Sequence, residues 1–247
     1  MSPAVAQPRT AVVSGGSRGL GRKLVERLLT DGWRVATFSR DANEFIEKQR
    51  ESHPDTFLWQ STDMLEPGAT RTFVETVDAQ FGRIDLLINN AGVLHQGLFL
   101  TMASAEVREL LTANLLAPVE LTQACARSMT RAGEGVVVTV SSINAIRGYR
   151  GVAAYAAAKA GMEGLSRSLA RELGPAGIRV CTVTPGFFDS EMTAGVTGQN
   201  RQRIQRRTPL GRLGTTEEVV EAVVFLASPA AAFITGQSLV IDGGISC

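Results

Sequence analysis

Short runs of β-branched and aliphatic residues alternate with longer stretches of helical period from one end of the chain to the other, and few folds accept that order. Thr10–Ser14, Arg34–Ser39, 56–60, Leu86–Asn89, 135–141, 179–184 and Ser238–Ile241 read as strands. Between them, helical spacing runs over 19–31 (Leu20, Leu24 and Leu28 on one face), 42–52, 70–81, 104–131, 152–173 and 217–226. Gly82 reads as a helix C-cap, Ser104 as an N-cap with Glu106 in the first turn, and Gly174-Pro175 as a stop. Val-Val-Val-Thr-Val within 135–141 is apolar without alternation, as in a strand covered on both faces. The pattern predicts an α/β chain: a single-domain, Rossmann-type, doubly wound parallel sheet of about seven strands with helices on both faces. A length of 247 residues suits one such domain spanning 1–247.

Composition narrows the function classes. A net charge of +1 speaks against a nucleic-acid binder or a polybasic membrane-surface protein. No apolar run approaches the roughly 18 residues that span a bilayer, and no signal peptide is visible, so a cytoplasmic protein is expected. Three scattered cysteines, Cys125, Cys181 and Cys247, fit a reducing compartment, and with only His53 and His95 no metal site is expected.

The turn after the first strand is Ser14-Gly15-Gly16-Ser17-Arg18-Gly19-Leu20-Gly21. Glycines there let the backbone approach a pyrophosphate, and the helix that follows offers unpaired N–H groups and a positive dipole end. Gly15, Ser17, Arg18, Gly19, Leu20 and Gly21 are therefore candidate dinucleotide contacts. Where an acidic residue after the second strand would bind ribose hydroxyls and repel a 2′-phosphate, this chain has Ser39-Arg40. Arg40, with Arg18, favours NADP(H); the adjacent Asp41 weakens that preference. Asp63 is either an adenine contact or an N-cap for the next helix. The stretch 189–207, polar and arginine-rich, reads as a substrate lid or as a plain solvated helix.

Tyr155 and Lys159 lie four residues apart in a helical segment, on one face. A neighbouring ammonium, or an oxidised nicotinamide, would favour the phenolate and lower a phenol pKa normally near 10. With Ser14-Gly15-x-x-x-Gly19-x-Gly21, Asn89-Asn90-Ala91-Gly92, Asn114, Ser142 thirteen positions before Tyr155, and Pro185-Gly186 followed by Ser190, the chain resembles the classical short-chain dehydrogenase/reductase family over roughly residues 8–245. Ser14 and Ser190 stand where threonine is usual. The resemblance implies a catalytic set of Asn114, Ser142, Tyr155 and Lys159. Ser142 would stabilise charge on a carbonyl oxygen, Tyr155 would donate the proton, Lys159 would hold the ribose and lower the phenol's pKa, and Asn114 would anchor a relay water. It also implies cofactor contacts from Asn90, Ala91, Gly92, Tyr155, Lys159, Pro185, Gly186, Phe188 and Ser190.

Within the family, Tyr155-Ala-Ala-Ala-Lys159-Ala-Gly161, Pro185-Gly186-Phe187, Pro209-Leu-Gly-Arg-Leu-Gly214 and Ile234-Thr-Gly-Gln237 followed by Asp242-Gly-Gly244 are similar to 3-oxoacyl-carrier-protein reductases. That implies an NADPH-dependent ketoreductase acting on a 3-oxoacyl thioester, with acyl carrier protein as a partner and a homotetramer or dimer as the assembly. The long helices 104–131 and 152–173 would be the interfaces, unless their apolar residues face the sheet. The basic positions that dock the carrier in such reductases stand here as Gly133 and Ala176. Arg127, Arg131, Arg147, Arg150, Arg201, Arg203, Arg206 and Arg207 are either replacements or ordinary surface charge. Ser142, Tyr155, Leu94, Tyr149, Phe187 and Met192 are the candidate substrate contacts, with His95 either beside them or a plain loop residue. Two alternatives stay open: a reductase of free ketones such as a secondary metabolite, sugar or steroid, and a non-catalytic dinucleotide sensor.

Overall fold

Every strand of the sheet is parallel to its neighbours, in the order β3-β2-β1-β4-β5-β6-β7. The structure is a computed structural model and describes residues 8–188 and 198–247. The strands are β1 Thr10–Ser14, β2 Arg34–Ser39, β3 Phe57–Ser61, β4 Leu86–Asn89, β5 Gly135–Val140, β6 Ile178–Pro185 and β7 Ser238–Ile241. The helices are α1 Gly19–Thr30, α2 Glu44–Ser52, α3 Ala69–Phe81, α4 Ser104–Leu111, α5 Ala117–Ala132, α6 Ala153–Leu173, α7 Gly198–Arg207 and α8 Thr216–Ala227.

Successive strand residues serve opposite faces, which makes two cores. Ala11, Val13, Ile88, Val138 and Val183 meet α1, α2 and α8 through Leu24, Leu28, Ile46, Val219 and Val223. Val12, Leu87, Val137 and Val180 meet α3, α5 and α6 through Phe73, Val77, Leu121, Met129 and Ala170. Fully buried strands of this kind carry no polar alternation, which is why the apolar run in 135–141 signals one.

Three sequence readings need correction. Helix α4 is N-capped by Ala103, not Ser104: Glu106 Oε2 reaches back 2.9 Å to the Ala103 amide, which sets the start one residue earlier. The expected continuous helix over 104–131 is divided by a π-helical turn at Thr112–Leu116. Asp63 is not the N-cap of α3, which is Gly68; its Oδ1 accepts the Leu65 amide at 2.9 Å in a tight turn. In the stretch expected to form a lid, 198–207 is α7, a solvated helix with no buried residue, while 189–197, with Ser190 and Met192, lies outside the described residues.

The order reverses between β1 and β4: the chain steps outward to β2 and β3, then returns to the other side of β1. The crevice at the C-terminal ends of those two strands is where open α/β sheets take ligands.

Candidate active site

The glycine loop leaves β1 at that crevice and is held from three sides. The buried Ser14 hydroxyl accepts the amides of Asn90 and Ala91, both at 2.9 Å, tying the end of β1 to the end of β4. Asn90 Nδ2 donates to the carbonyls of Ser14 (2.9 Å) and Gly15 (3.3 Å). Asn43, the N-cap of α2, donates to the Ser17 carbonyl at 2.9 Å. Gly19 sits at φ +54 with nothing within 4 Å of where a Cβ would stand. A Cβ on Gly21 would lie 2.1 Å from the Gly15 carbonyl oxygen. The first helical turn of α1 receives no side-chain cap from Arg18, so its leading amides stay free. Free amides, a left-handed glycine under open space and a rigid loop behind them suit a bound diphosphate. Arg18 and Arg40 are both exposed beside it, and neither makes an ion pair among the described residues. The Arg40 backbone is fixed by Ser61, whose hydroxyl donates to its carbonyl at 2.6 Å.

On the other side of the crevice, α6 brings Tyr155 and Lys159 under the C-terminal end of β5, where Ser142 begins a short 3₁₀ turn. Lys159 Nζ donates to the Val140 carbonyl at 2.9 Å and stands 5.7 Å from the Tyr155 ring centroid. Both side chains are buried. Burial pushes the Tyr155 phenol above its ordinary 10.0, while a hydrogen bond with Ser142 pulls the other way. Burial alone lowers the Lys159 ammonium from 10.5 to about 8. The sequence reading, in which the lysine lowers the phenol's pKa, is therefore corrected for the free protein. Desolvation favours the neutral form of each group, and the ammonium is directed at a backbone carbonyl.

Asn114 falls inside the π turn. Its Nδ2 donates to the carbonyls of Leu110 and Val93, both at 2.9 Å, and its Oδ1 accepts the Val93 amide at 3.2 Å. The Leu110 carbonyl thus takes a side-chain donor beside the turn, and the Ala117 amide bonds the Thr112 carbonyl, an i→i−5 bond of the π type. Both amide protons are thus spent on backbone, which leaves one Oδ1 lone pair for the expected water. A Cβ at Gly92 would stand 2.5 Å from Asn114 Oδ1 and 3.6 Å from Lys159 Nζ, so only glycine fits there.

The substrate side is partly assembled. Tyr149 and Phe187 meet edge to face with centroids 6.4 Å apart, and the loops that carry Leu94 and Tyr149 are joined by the Gly97 amide on the Gly151 carbonyl. His95 pairs with Glu109 at 3.5 Å. Phe188 packs against the apolar core and pairs with Gly214, while the Gly186 amide bonds the Ile241 carbonyl. Of the candidate docking arginines, Arg131 is engaged by Asp78 at 2.7 Å and Arg147 donates to the Ile245 carbonyl. Sequence reasoning missed Asn43, which an Asn directly before a helical segment signals, and Thr37, whose buried hydroxyl accepts the Gly16 amide at 2.9 Å, which nothing signals. No cluster of metal-ligating side chains occurs among the described residues, nor any helix long and apolar enough to cross a membrane.

A family model described as enoyl-(acyl carrier protein) reductase matches residues 15–246. The 3-oxoacyl-[acyl-carrier-protein] reductase of Escherichia coli K12 is 36% identical over 239 residues, covering 96% of this chain and 97% of that protein. The enzyme of the same name from Vibrio harveyi is 37% identical over 240 residues with the same coverage. A solved variant of a short-chain dehydrogenase/reductase from Serratia marcescens superposes with a TM-score of 0.90 at 35% identity, covering 98% of this chain and 99% of the other.

Proposed function

The chain belongs to the short-chain dehydrogenase/reductase family, and from that membership we propose that it is an NADPH-dependent ketoreductase acting on a 3-oxoacyl thioester to give the 3-hydroxyacyl product. The observation that carries this reading is the buried Tyr155 phenol, close enough to Ser142 to feel its hydroxyl and flanked by Lys159, at the strand ends that face the glycine loop. The residues present fit a dinucleotide: Gly15, Ser17, Gly19, Leu20 and Gly21 would hold the diphosphate, Arg18 and Arg40 a 2′-phosphate, and Asn90, Ala91, Gly92, Pro185 and Gly186 the nicotinamide side. When bound, the reduced nicotinamide supplies hydride to the carbonyl carbon.

Everything else in the reaction falls to this chain. The Ser142 hydroxyl donates to the carbonyl oxygen and stabilises the charge that develops there. Tyr155 gives its proton to that oxygen, and because burial keeps the phenol protonated, the enzyme enters reduction with its acid loaded. Lys159 spends one proton on the Val140 carbonyl and keeps two for ribose hydroxyls. The tyrosinate left behind regains a proton through that ammonium and solvent.

The matching family description names an enoyl substrate and the relatives' names an oxoacyl one. We favour the oxoacyl group, because a proton donor and a second hydroxyl meet at one point, as a ketone oxygen requires. A reductase of free ketones is the second reading, favoured by Gly133 and Ala176 at the expected docking positions and by the engagement of Arg131 with Asp78. NADPH oxidation followed by absorbance decides among them, with acetoacetyl and α,β-unsaturated thioesters on coenzyme A and on acyl carrier protein, beside simple ketones and NADH. Turnover of the acetoacetyl thioester that improves on the carrier supports the proposal; turnover of free ketones alone moves the protein to carrier-independent chemistry. Reduction of the unsaturated thioester alone overturns the ketone assignment.

A further inference from the structure

We infer that Glu163 is a positioning residue, whose carboxyl group clamps the ends of β5 and β6 so that Ser142 and Pro185-Gly186 stand in register with Tyr155 and Lys159; its catalytic part rests on the ketoreductase reading above. Tyr155, Lys159 and Glu163 follow one another at four-residue spacing along one face of α6, and all three are buried. They address three successive residues at the end of β5. Lys159 donates to the Val140 carbonyl, Glu163 accepts the Ser141 hydroxyl at 2.9 Å, and the Tyr155 phenol is influenced by the Ser142 hydroxyl. The same Glu163 Oε1 accepts the Thr184 hydroxyl at 3.0 Å, one residue before Pro185-Gly186. Thr184 has one hydroxyl proton and spends it on Glu163, so the 2.7 Å contact with Ser238 is donated by Ser238, extending the chain to β7.

One acceptor therefore joins α6 to three parallel strands at the end of the sheet that carries the chemistry. Among the described residues its other oxygen meets only Arg167, at 3.9 Å, and that side chain is 62% exposed. Burying a carboxyl group with so distant a cation is a poor way to gain stability, since an apolar side chain with apolar neighbours would serve as well. It is a good way to fix geometry: two hydroxyls from adjacent strands converge on one atom, and losing that atom leaves the buried Ser141 hydroxyl without its partner and the Thr184 hydroxyl with Ser238 alone. The catalytic serine hydroxyl begins one residue beyond this knot, where a shift of a few tenths of an ångström changes its aim at a carbonyl oxygen.

The test uses the full chain with Glu163→Gln, Glu163→Ala and Thr184→Val. Amide hydrogen exchange, read first and without substrate, should rise at 140–144 and 183–186 in Glu163→Ala and Thr184→Val but stay unchanged at 10–14 and 34–39; Glu163→Gln, which keeps an acceptor oxygen, should stay close to the parent. In steady state, Glu163→Ala should lose about ten- to a hundredfold in kcat on the best substrate with little change in KM for NADPH, and Glu163→Gln should restore most of it. A deuterium isotope effect from 4-deuterated NADPH that grows in Glu163→Ala would place the loss at hydride transfer. If Glu163→Ala does not fold, Thr184→Val carries the same readouts. Unchanged exchange at 140–144 and 183–186, or folded variants with parental kcat, overturns the inference. Absence of turnover by the parent on every ketone and thioester would instead overturn the ketoreductase reading, and the exchange data would still decide the clamp.

Discussion

Lys159 is costly to fold and useful once folded, and its pKa states by how much. An unfolded chain keeps this ammonium protonated up to about 10.5, whereas the folded protein releases the proton near pH 8. Between those values the unfolded state binds more protons, so the penalty on folding is full below pH 8 and fades as pH rises toward 10.5. The difference corresponds to about 3 kcal/mol at most. Lys159→Met should therefore raise the stability of the cofactor-free protein at pH 7 by about 2 kcal/mol, by urea denaturation, while abolishing most turnover. That advantage should shrink by pH 10, and a gap independent of pH would refute the burial account. Tyr155→Phe removes only the phenolic proton, so turnover should drop by about 10³-fold with NADPH binding little changed; parental turnover would sink the acid assignment. Arg18→Ala and Arg40→Ala each delete a charge-assisted contact to a 2′-phosphate and should raise KM for NADPH about tenfold while sparing NADH; equal effects on both cofactors would place those arginines elsewhere. At this scale the grouping of residues was legible, because the positions of Tyr155, Lys159, Ser142 and the glycines at one end of the sheet follow from their identity and spacing. Glu163 was not: a carboxyl eight residues beyond a tyrosine on a helix looks like ordinary surface charge until Ser141 and Thr184, distant in sequence, are seen to converge on it.

Among the elements, the strands were readable because a covered parallel strand must be apolar on both sides, and 10–14, 34–39 and 86–89 came out to the residue. Helix starts shifted by one or two residues where a side chain chose the cap, as Glu106 does at Ala103 and Asn43 does for α2. The π turn at Thr112–Leu116 was invisible, since Thr-Ala-Asn-Leu-Leu is acceptable in a regular helix and the Asn114 side chain meets Val93, a partner that only the fold brings beside it. The part this side chain plays is testable. Asn114→Ala frees the Leu110 carbonyl and leaves the Val93 amide and carbonyl without their partner, at a cost of about 2 kcal/mol. Thermal unfolding should register the loss, hydrogen exchange should rise at 92–94, and turnover should fall because the loop beside Lys159 is no longer fixed. Parental exchange at 92–94 would show that the turn holds without the side chain.

Across the whole molecule, the sheet is well covered except at one edge. Parallel sheets persist where both faces are shielded, yet the neighbouring β7 residues Leu239 and Val240, which a strand directs to opposite faces, are 38% and 42% exposed. Phe233 projects fully into solvent nearby, and Phe225 of α8 is partly bare. By contrast, α5 and α6, the interfaces suggested by the sequence, direct Leu121, Met129 and Ala170 into the core under the sheet. An edge that no other described strand pairs, flanked by exposed aromatic and aliphatic side chains, is a surface that pairing with another copy would cover. The chain is therefore expected to self-associate through β7 and the adjoining Phe233. Sedimentation of the parent should give an oligomer, and Phe233→Asp with Leu239→Lys should reduce its size while leaving the circular dichroism of the fold intact. Because Ser238 of the same strand donates to Thr184, loosening this edge should also raise exchange at 183–186, so assembly and site geometry are expected to weaken together. An oligomer unaffected by both substitutions would return the interface to the helices, and the two bare faces of β7 would then have no explanation in self-association.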